Sequence, residues 1–257
     1  MPTASNFYTN RADLSQFLIH LTKDGAYENW VQVTANGLVG YDASGYTTVA
    51  ARPSLIDIIN TKKIEARSPF GYFKLRINRY RPSYQRVFVN GGADPAWIKS
   101  VCFSETPLKE LRNFYQTTVH KRNAYKKYGL AFWQDNVRNV GGNPIFYVDS
   151  RKTTYLQSLN QSQQSHFIPL MHLCETFGPP VLLTGGYSDF RWEREWRKLD
   201  SYNFDWHDVA FGICPDEEIP FFEGLASNRV VFLDPDWDEP TLRQYLSGKA
   251  PHLLAHL

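Results

Sequence analysis

The chain has 257 residues, 42% of them hydrophobic and 21% charged, enough to bury one large core or two small ones. A net charge of +2 gives no overall basic footprint of the kind nucleic-acid binders carry, which leaves only local basic patches. The three cysteines, Cys102, Cys174 and Cys214, are odd in number, widely spaced and without a Cys-x-x-Cys pair; this argues against a metal site or a disulfide framework and for buried free thiols.

Residues 1–15 are polar and read as a leader or a short helix. Phe17-Leu18-Ile19-His20-Leu21-Thr22 is an apolar run ending in polar residues, which predicts a first strand with His20 and Thr22 on one face. Residues 23–52, rich in Gly, Tyr, Asn and Thr, read as a long insertion. Apolar residues at 55, 56, 58 and 59 then give Pro53 to Asn60 a helical spacing, with Pro53 in the first turn. Lys62 to Ala66 leaves that helix for a strand. Residues 67–99 are the most basic part of the chain, with Arg67, Arg76, Arg79, Arg81 and Arg86 set among tyrosines.

Ser100 to Thr106 reads as a buried strand, because Val101 and Phe103 alternate with Cys102 and Ser104. Pro107 opens a helix through Leu108, Leu111 and Phe114 that is expected to run to about Lys126. Tyr128 to Phe132 predicts a short strand, Gly141-Gly142-Asn143-Pro144 a turn, and Ile145 to Val148 a buried strand. Residues 151–165 are rich in Gln and Ser and fit either a polar helix or a loop. Phe167 to Phe177 reads as a helix closed by Gly178-Pro179-Pro180. Asp208 to Cys214 and Arg229 to Leu233 are the last predicted strands, joined by an acidic turn and helix, and residues 239–248 form a closing helix. Short strands and helices mixed without regular alternation predict an α+β fold, taken as a single domain over residues 1–257. With no charged-then-apolar leader and no run of about 18 apolar residues, the expectation is a cytoplasmic protein with no membrane contact.

The most informative stretch is Arg191-Trp192-Glu193-Arg194-Glu195-Trp196-Arg197. Read as a strand, it sends Trp192, Arg194 and Trp196 to one face and Arg191, Glu193, Glu195 and Arg197 to the other. Two carboxylates one pleat repeat apart, flanked by arginines, suggest a charged cleft, although a solvated edge strand would show the same pattern. A helix is the alternative, and it would put the two glutamates on different faces. Neither Gly185-Gly186 nor Gly91-Gly92 has the spacing of a phosphate-binding loop, and no Gly-x-Ser-x-Gly or His-Glu-x-x-His occurs.

Three segments stand in a telling order: His20-x-Thr22, Phe103-Ser104-Glu105-Thr106 and Glu193-x-Glu195. This order resembles the ADP-ribosyltransferase fold, whose NAD cleft is built from three strands bearing a His or Arg, an aromatic or Ser-containing segment, and a catalytic Glu. His20-Leu21-Thr22, the Leu55-Ile56-Asp57-Ile58-Ile59 helix and the Cys102 to Leu108 segment are similar to those of DarT-type toxins. The layout through Tyr128-Gly129 to Glu193-Arg194-Glu195-Trp196-Arg197 is similar to AbiGi-type abortive-infection proteins of phage defence. The resemblance spans roughly residues 17–235 and implies a split mixed sheet with flanking helices, with NAD as the cofactor consumed. DarT-type enzymes also use an arginine in the first third of the chain, a place for which Arg52, Arg67, Arg76 and Arg79 compete.

Under that resemblance Glu195 would stabilise the oxocarbenium-like state formed when the nicotinamide–ribose bond breaks, and Glu193 would take a proton from the attacking group. His20 would bond ribose or adenosine hydroxyls, Thr22 would support the nicotinamide side, and Ser104 would brace the glutamate. Tyr128 or Phe132 would stack on nicotinamide, and an arginine such as Arg67 or Arg76 would hold the pyrophosphate. The arginines and tyrosines of 67–90 suit RNA or DNA as the target, and an antitoxin or chaperone is the expected protein partner. Two other classes stay open: a non-catalytic antitoxin on the same scaffold, and a metal-dependent nuclease using the His and Glu residues.

Overall fold

The computed structural model describes residues 15–23, 25–28, 46–66, 99–121, 125–149, 173–177 and 191–257. Strand β1 (Phe17–Lys23) is followed by the hairpin β2 (Gly25–Glu28) and β3 (Tyr46–Val49), helix α1 (Ala51–Thr61) and the short β4 (Lys63–Ile64). After β5 (Ser100–Glu105), a 3-10 turn over Leu108–Glu110 leads into α2 (Leu111–Lys121). Next come β6 (Tyr125–Trp133), α3 (Gln134–Asn139), β7 (Asn143–Pro144), β8 (Phe146–Asp149) and β9 (Cys174–Phe177). The chain continues through β10 (Glu195–Leu199), β11 (Tyr202–Asn203), β12 (Val209–Ile213), α4 (Ile219–Leu225), β13 (Phe232–Leu233) and α5 (Glu239–Lys249), and then a 3-10 turn over Pro251–His256.

A seven-stranded sheet in the order β13-β12-β6-β1-β5-β10-β7 organises these elements. Its pairings are antiparallel except β12 with β13, so the sheet is mixed and the α+β expectation holds. Helices cover both faces. On one, Leu18, Phe103, Leu130, Phe132 and Trp196 pack with Leu55, Ile58 and Ile59 of α1 and Phe222 of α4. On the other, Phe17, Ile19, Ala131, Phe211 and Ile213 pack with Leu111 of α2 and Leu242 and Leu246 of α5. Strands buried on both faces read as continuous apolar runs, which explains why Phe17–Leu21 shows little polar alternation. The C-terminal turn closes this second layer, with the His256 ring 4.9 Å from Phe17 and 5.8 Å from Trp133.

Helix α5 begins where chemistry asks it to: the Asp238 carboxylate accepts the amide of Thr241 at 2.9 Å, and a proline stands in the first turn. Three sequence expectations are corrected. The helix after Pro107 stops at Lys121 instead of about Lys126, because the strand β6 already starts at Tyr125. Cys174–Phe177, expected at the end of a helix, is instead a strand parallel to β8, since long-range pairing outweighs local propensity there. Of the expected buried strand 145–148, Ile145 is buried but Phe146 is 56% exposed. Residues 151–165, 167–172 and the arginines from Arg67 to Arg86 lie outside the described residues.

Gly129 faces Leu21 across the β1–β6 ladder, where a Cβ would overlap the carbonyl oxygen of His20. Gly224 in α4 has nothing within 4 Å of its would-be Cβ. Gly129→Ala should therefore lose about 1–3 kcal/mol through overpacking, and Gly224→Ala should be neutral or gain up to about 1 kcal/mol. Denaturant midpoints of the two variants check this, and a neutral Gly129→Ala would show that the β1–β6 ladder is looser than described.

Candidate functional site

The site begins where two central strands part. β1 pairs with β5 at Leu18↔Glu105 and Ile19↔Ser104, while β1 stays on β6 as far as Lys23 and β5 stays on β10 as far as Ser100. At the parting, His20 Nδ1 lies 2.9 Å from the carbonyl oxygen of Cys102. A carbonyl only accepts, so Nδ1 carries the proton, and in the neutral ring Nε2 is then the acceptor nitrogen. The imidazole edge also meets the Phe103 ring, with centroids 6.0 Å apart.

Register decides which side chains share a face. Ile19, Ser104 and Glu195 stand opposite one another across β1, β5 and β10, so they project to one side with Cys102 and Arg197. Phe103 and Trp196 project to the other, as do Leu18, His20 and Thr22 by alternation along β1. The structure thus brings Ser104 and Glu195 together on adjacent strands and turns His20 and Thr22 to the opposite face.

Glu195 is held from several directions. Arg197 Nε donates to its Oε1 at 2.8 Å and Nη2 to its Oε2 at 3.1 Å, a two-point grip. The same Nη2 donates to Glu175 Oε2 at 3.0 Å, and Nη1 to the Cys174 carbonyl at 3.4 Å. Arg197 is 3% exposed and the Glu195 side chain 12%, so the ion pair works in a largely dry setting. Burial opposes the charge on Arg197, yet Glu195, with help from Cys102 and Glu175, raises its pKa well above the ordinary arginine value. The Glu195 amide donates to the Tyr147 hydroxyl at 3.1 Å, and its carbonyl accepts the Ile145 amide at 3.0 Å. Burial first, then the Glu195 charge, pushes the Cys102 thiol up, which disfavours its thiolate. The Tyr147 phenol is pushed up as well, again chiefly by burial.

The 191–197 stretch is not one strand. Arg191–Glu193 forms a 3-10 turn, Arg194 takes a left-handed φ of 44°, and β10 starts only at Glu195. The shared pleat of Glu193 and Glu195 therefore disappears, and Glu193 approaches from a turn. Arg194 bends away to pair with Glu105 at 2.9 Å, and Glu105 also accepts Trp196 Nε1 at 3.0 Å.

On the face of His20 the expected residues have structural partners. Thr22 Oγ1 lies 2.9 Å from the carbonyls of both Ala51 and Tyr128, tying β1 to the start of α1. The Tyr128 hydroxyl donates to Glu218 at 2.8 Å, and its ring lies 5.8 Å from Phe222. Phe132 is fully buried among Phe103, Tyr202 and Phe204, which removes it as a nicotinamide-stacking residue. Arg52 bonds Glu218 at 2.6 Å, lies 4.8 Å above the Phe221 ring and keeps a 42% exposed side chain. Arg67 and Arg76 lie outside the described residues. No group of three or more metal-binding side chains occurs among the described residues. Nor is any helix there long and apolar enough to cross a membrane.

Glu175 and Tyr147 were invisible to sequence reasoning. Each acts across the β8–β9 pair, and no local pattern joins either to position 195. Arg197 stood in plain view, two residues from Glu195 on the same side of a strand.

All three thiols are raised, chiefly by burial. Iodoacetamide at pH 8 should label Cys102, Cys174 and Cys214 far more slowly in the native protein than in denaturant, as mass spectrometry would record. Fast native labelling at Cys102 would show the Glu195 environment to be open. Comparison with protein-family models, with curated proteins and with solved structures finds no match to this chain.

Proposed function

We propose that the protein is an NAD-dependent ADP-ribosyltransferase acting as a toxin or effector in phage defence, with RNA or DNA as its acceptor. The observation that carries the reading is the adjacency of β1, β5 and β10, the strands of His20, Ser104 and Glu195, in that order in the sheet. The opening between β1 and β5 further supports it, because a split sheet gives a dinucleotide a place to enter beside an anchored carboxylate.

NAD is the substrate. Nicotinamide leaves with the electron pair of the C1′–N bond, and the ribosyl C1′ becomes electron-poor. Glu195, paired with Arg197, faces that charge and still has lone pairs for the ribose 2′-hydroxyl. An acceptor heteroatom then bonds C1′ and loses its proton, to Glu193 in this reading. Ser104, opposite Glu195 on the neighbouring strand, is the candidate to brace it once substrate is bound, and His20 the candidate to bind a hydroxyl at the parting. Arg52, exposed and near the start of α1, joins Arg67 and Arg76 as a candidate for the pyrophosphate. Thr22 serves by holding β1 to α1.

A second reading is a non-catalytic antitoxin or interaction protein on this scaffold. Both oxygens of Glu195 bond Arg197, as in a purely structural ion pair. Thermal stabilisation by NAD separates the two, since an interaction protein blind to NAD would show no shift.

Glu195→Gln keeps the size and removes the charge. Its nicotinamide release from labelled NAD should fall about 10²–10³-fold, with NAD affinity little changed. Full turnover in this variant would end the catalytic assignment. Incubation with separate RNA, DNA and protein pools identifies the acceptor, and label on protein alone would replace the nucleic-acid target.

A further inference from the structure

We infer that Tyr147, Glu175 and Arg197 are positioning residues that aim Glu195, so that the two-stranded unit β8–β9 is a working part of the site and not only a cover for the sheet edge. The inference rests on the proposed reaction and adds the residues that set its geometry.

Among the described residues strand β10 has little ladder on its outer side, where β7 matches it at Trp196↔Pro144 and Arg197↔Asn143. At Glu195 the ladder gives way to other contacts. The carbonyl takes the Ile145 amide, and the amide donates to the Tyr147 hydroxyl from β8. The backbone of Glu195 is therefore fixed on this side partly by a phenol. Its carboxylate is fixed by Arg197, whose fork is held in turn by two groups of β9: the Glu175 carboxylate at 3.0 Å and the Cys174 carbonyl at 3.4 Å. With Arg197 and Glu175 only 3% and 6% exposed, water does not replace these bonds easily.

Two consequences follow for chemistry. A guanidinium anchored at its far end cannot rotate with the carboxylate it grips, so Glu195 keeps one orientation before substrate arrives. A reacting carbon must sit opposite that carboxylate within a narrow range, and a misplacement of about 1 Å costs about 10²-fold in rate. The β8–β9 unit thereby transmits its own position to the reacting centre through two independent routes, one to the backbone and one to the side chain of the same residue.

Three conservative variants test this. Tyr147→Phe removes one hydroxyl, Glu175→Gln removes the anchor's charge, and Arg197→Lys keeps the charge but loses the two-point fork. NAD turnover per folded molecule and NAD affinity are measured for each, with the Glu175→Gln/Arg197→Lys double variant. Positioning predicts kcat losses of about 10–10²-fold with affinity little changed, and a double variant no worse than Arg197→Lys alone, because both act through one route. A merely structural role predicts lowered stability with kcat per folded molecule intact, and that result overturns the inference. Tyr147→Phe, which leaves the charge cluster whole, decides the matter if the other variants fail to fold. A wild type that releases no nicotinamide removes the proposed reaction and this inference together; an active wild type with three undiminished variants removes this inference alone.

Discussion

Ser104 is gripped by two strands at once, Ile19 on one side and Glu195 on the other, and this rung is the constraint on which the rest of the site depends. One residue further along, β1 stays paired with β6 while its match to β5 has ended, and the imidazole of His20 reaches across to the Cys102 carbonyl of β5. The register at Ser104 therefore settles three matters together: which face Glu195 occupies, where the sheet opens, and which side chain stands at the opening. A slip of one residue would exchange the faces of every side chain on β10, sending Arg197 into the apolar layer of Phe103 and Phe132 and leaving Trp196 against Glu175.

The two faces of the sheet are built differently around that rung. The side of His20 is aromatic, with Phe132 in edge contact with Phe103, Tyr202 and Phe204, and its polar groups are taken up in local ties such as Thr22 to Ala51. The side of Glu195 holds a charged cluster beneath a small parallel sheet. Removing charges from water is costly, and a cluster of this kind persists only when its hydrogen bonds are well made. The geometry around Arg197 meets that condition, with four bonds between its nitrogens and Glu195, Glu175 and Cys174.

Much of the sheet was legible in the sequence because its strands are short apolar runs bounded by turns: Phe17 to Thr22, Ser100 to Thr106, Tyr128 to Phe132 and Asp208 to Cys214 each contain or overlap an observed strand. The strands of His20, Ser104 and Glu195 are neighbours in the sheet, but His20 faces the side opposite Ser104 and Glu195, which motif order does not encode. What failed did so for local reasons. Alternation in 191–197 was apparent only, since a left-handed Arg194 breaks the pleat, and a positive φ at an arginine leaves no mark in composition. Cys174–Phe177 looked helical because its partner, β8, lies across a long stretch of chain and periodicity sees only neighbours. Phe132, with Tyr128 one of two stacking candidates that the resemblance implies, lies at the centre of the sheet and belongs to the core.

The closing turn over Phe17 and Trp133 has a consequence for how the protein is made. β1 leaves the ribosome ahead of its strand partners β5 and β6, and the residues that cover its Phe17 end, around His256, emerge after every other described element. A strongly apolar strand must therefore wait through most of synthesis with neither its hydrogen bonds nor its packing complete. Contacts between such distant segments close slowly, and exposed strand edges are what misassembly recruits. The same long-range closure that joins β1 to the turn around His256 thus leaves the Phe17 end of the strand without its cover until that turn has been made.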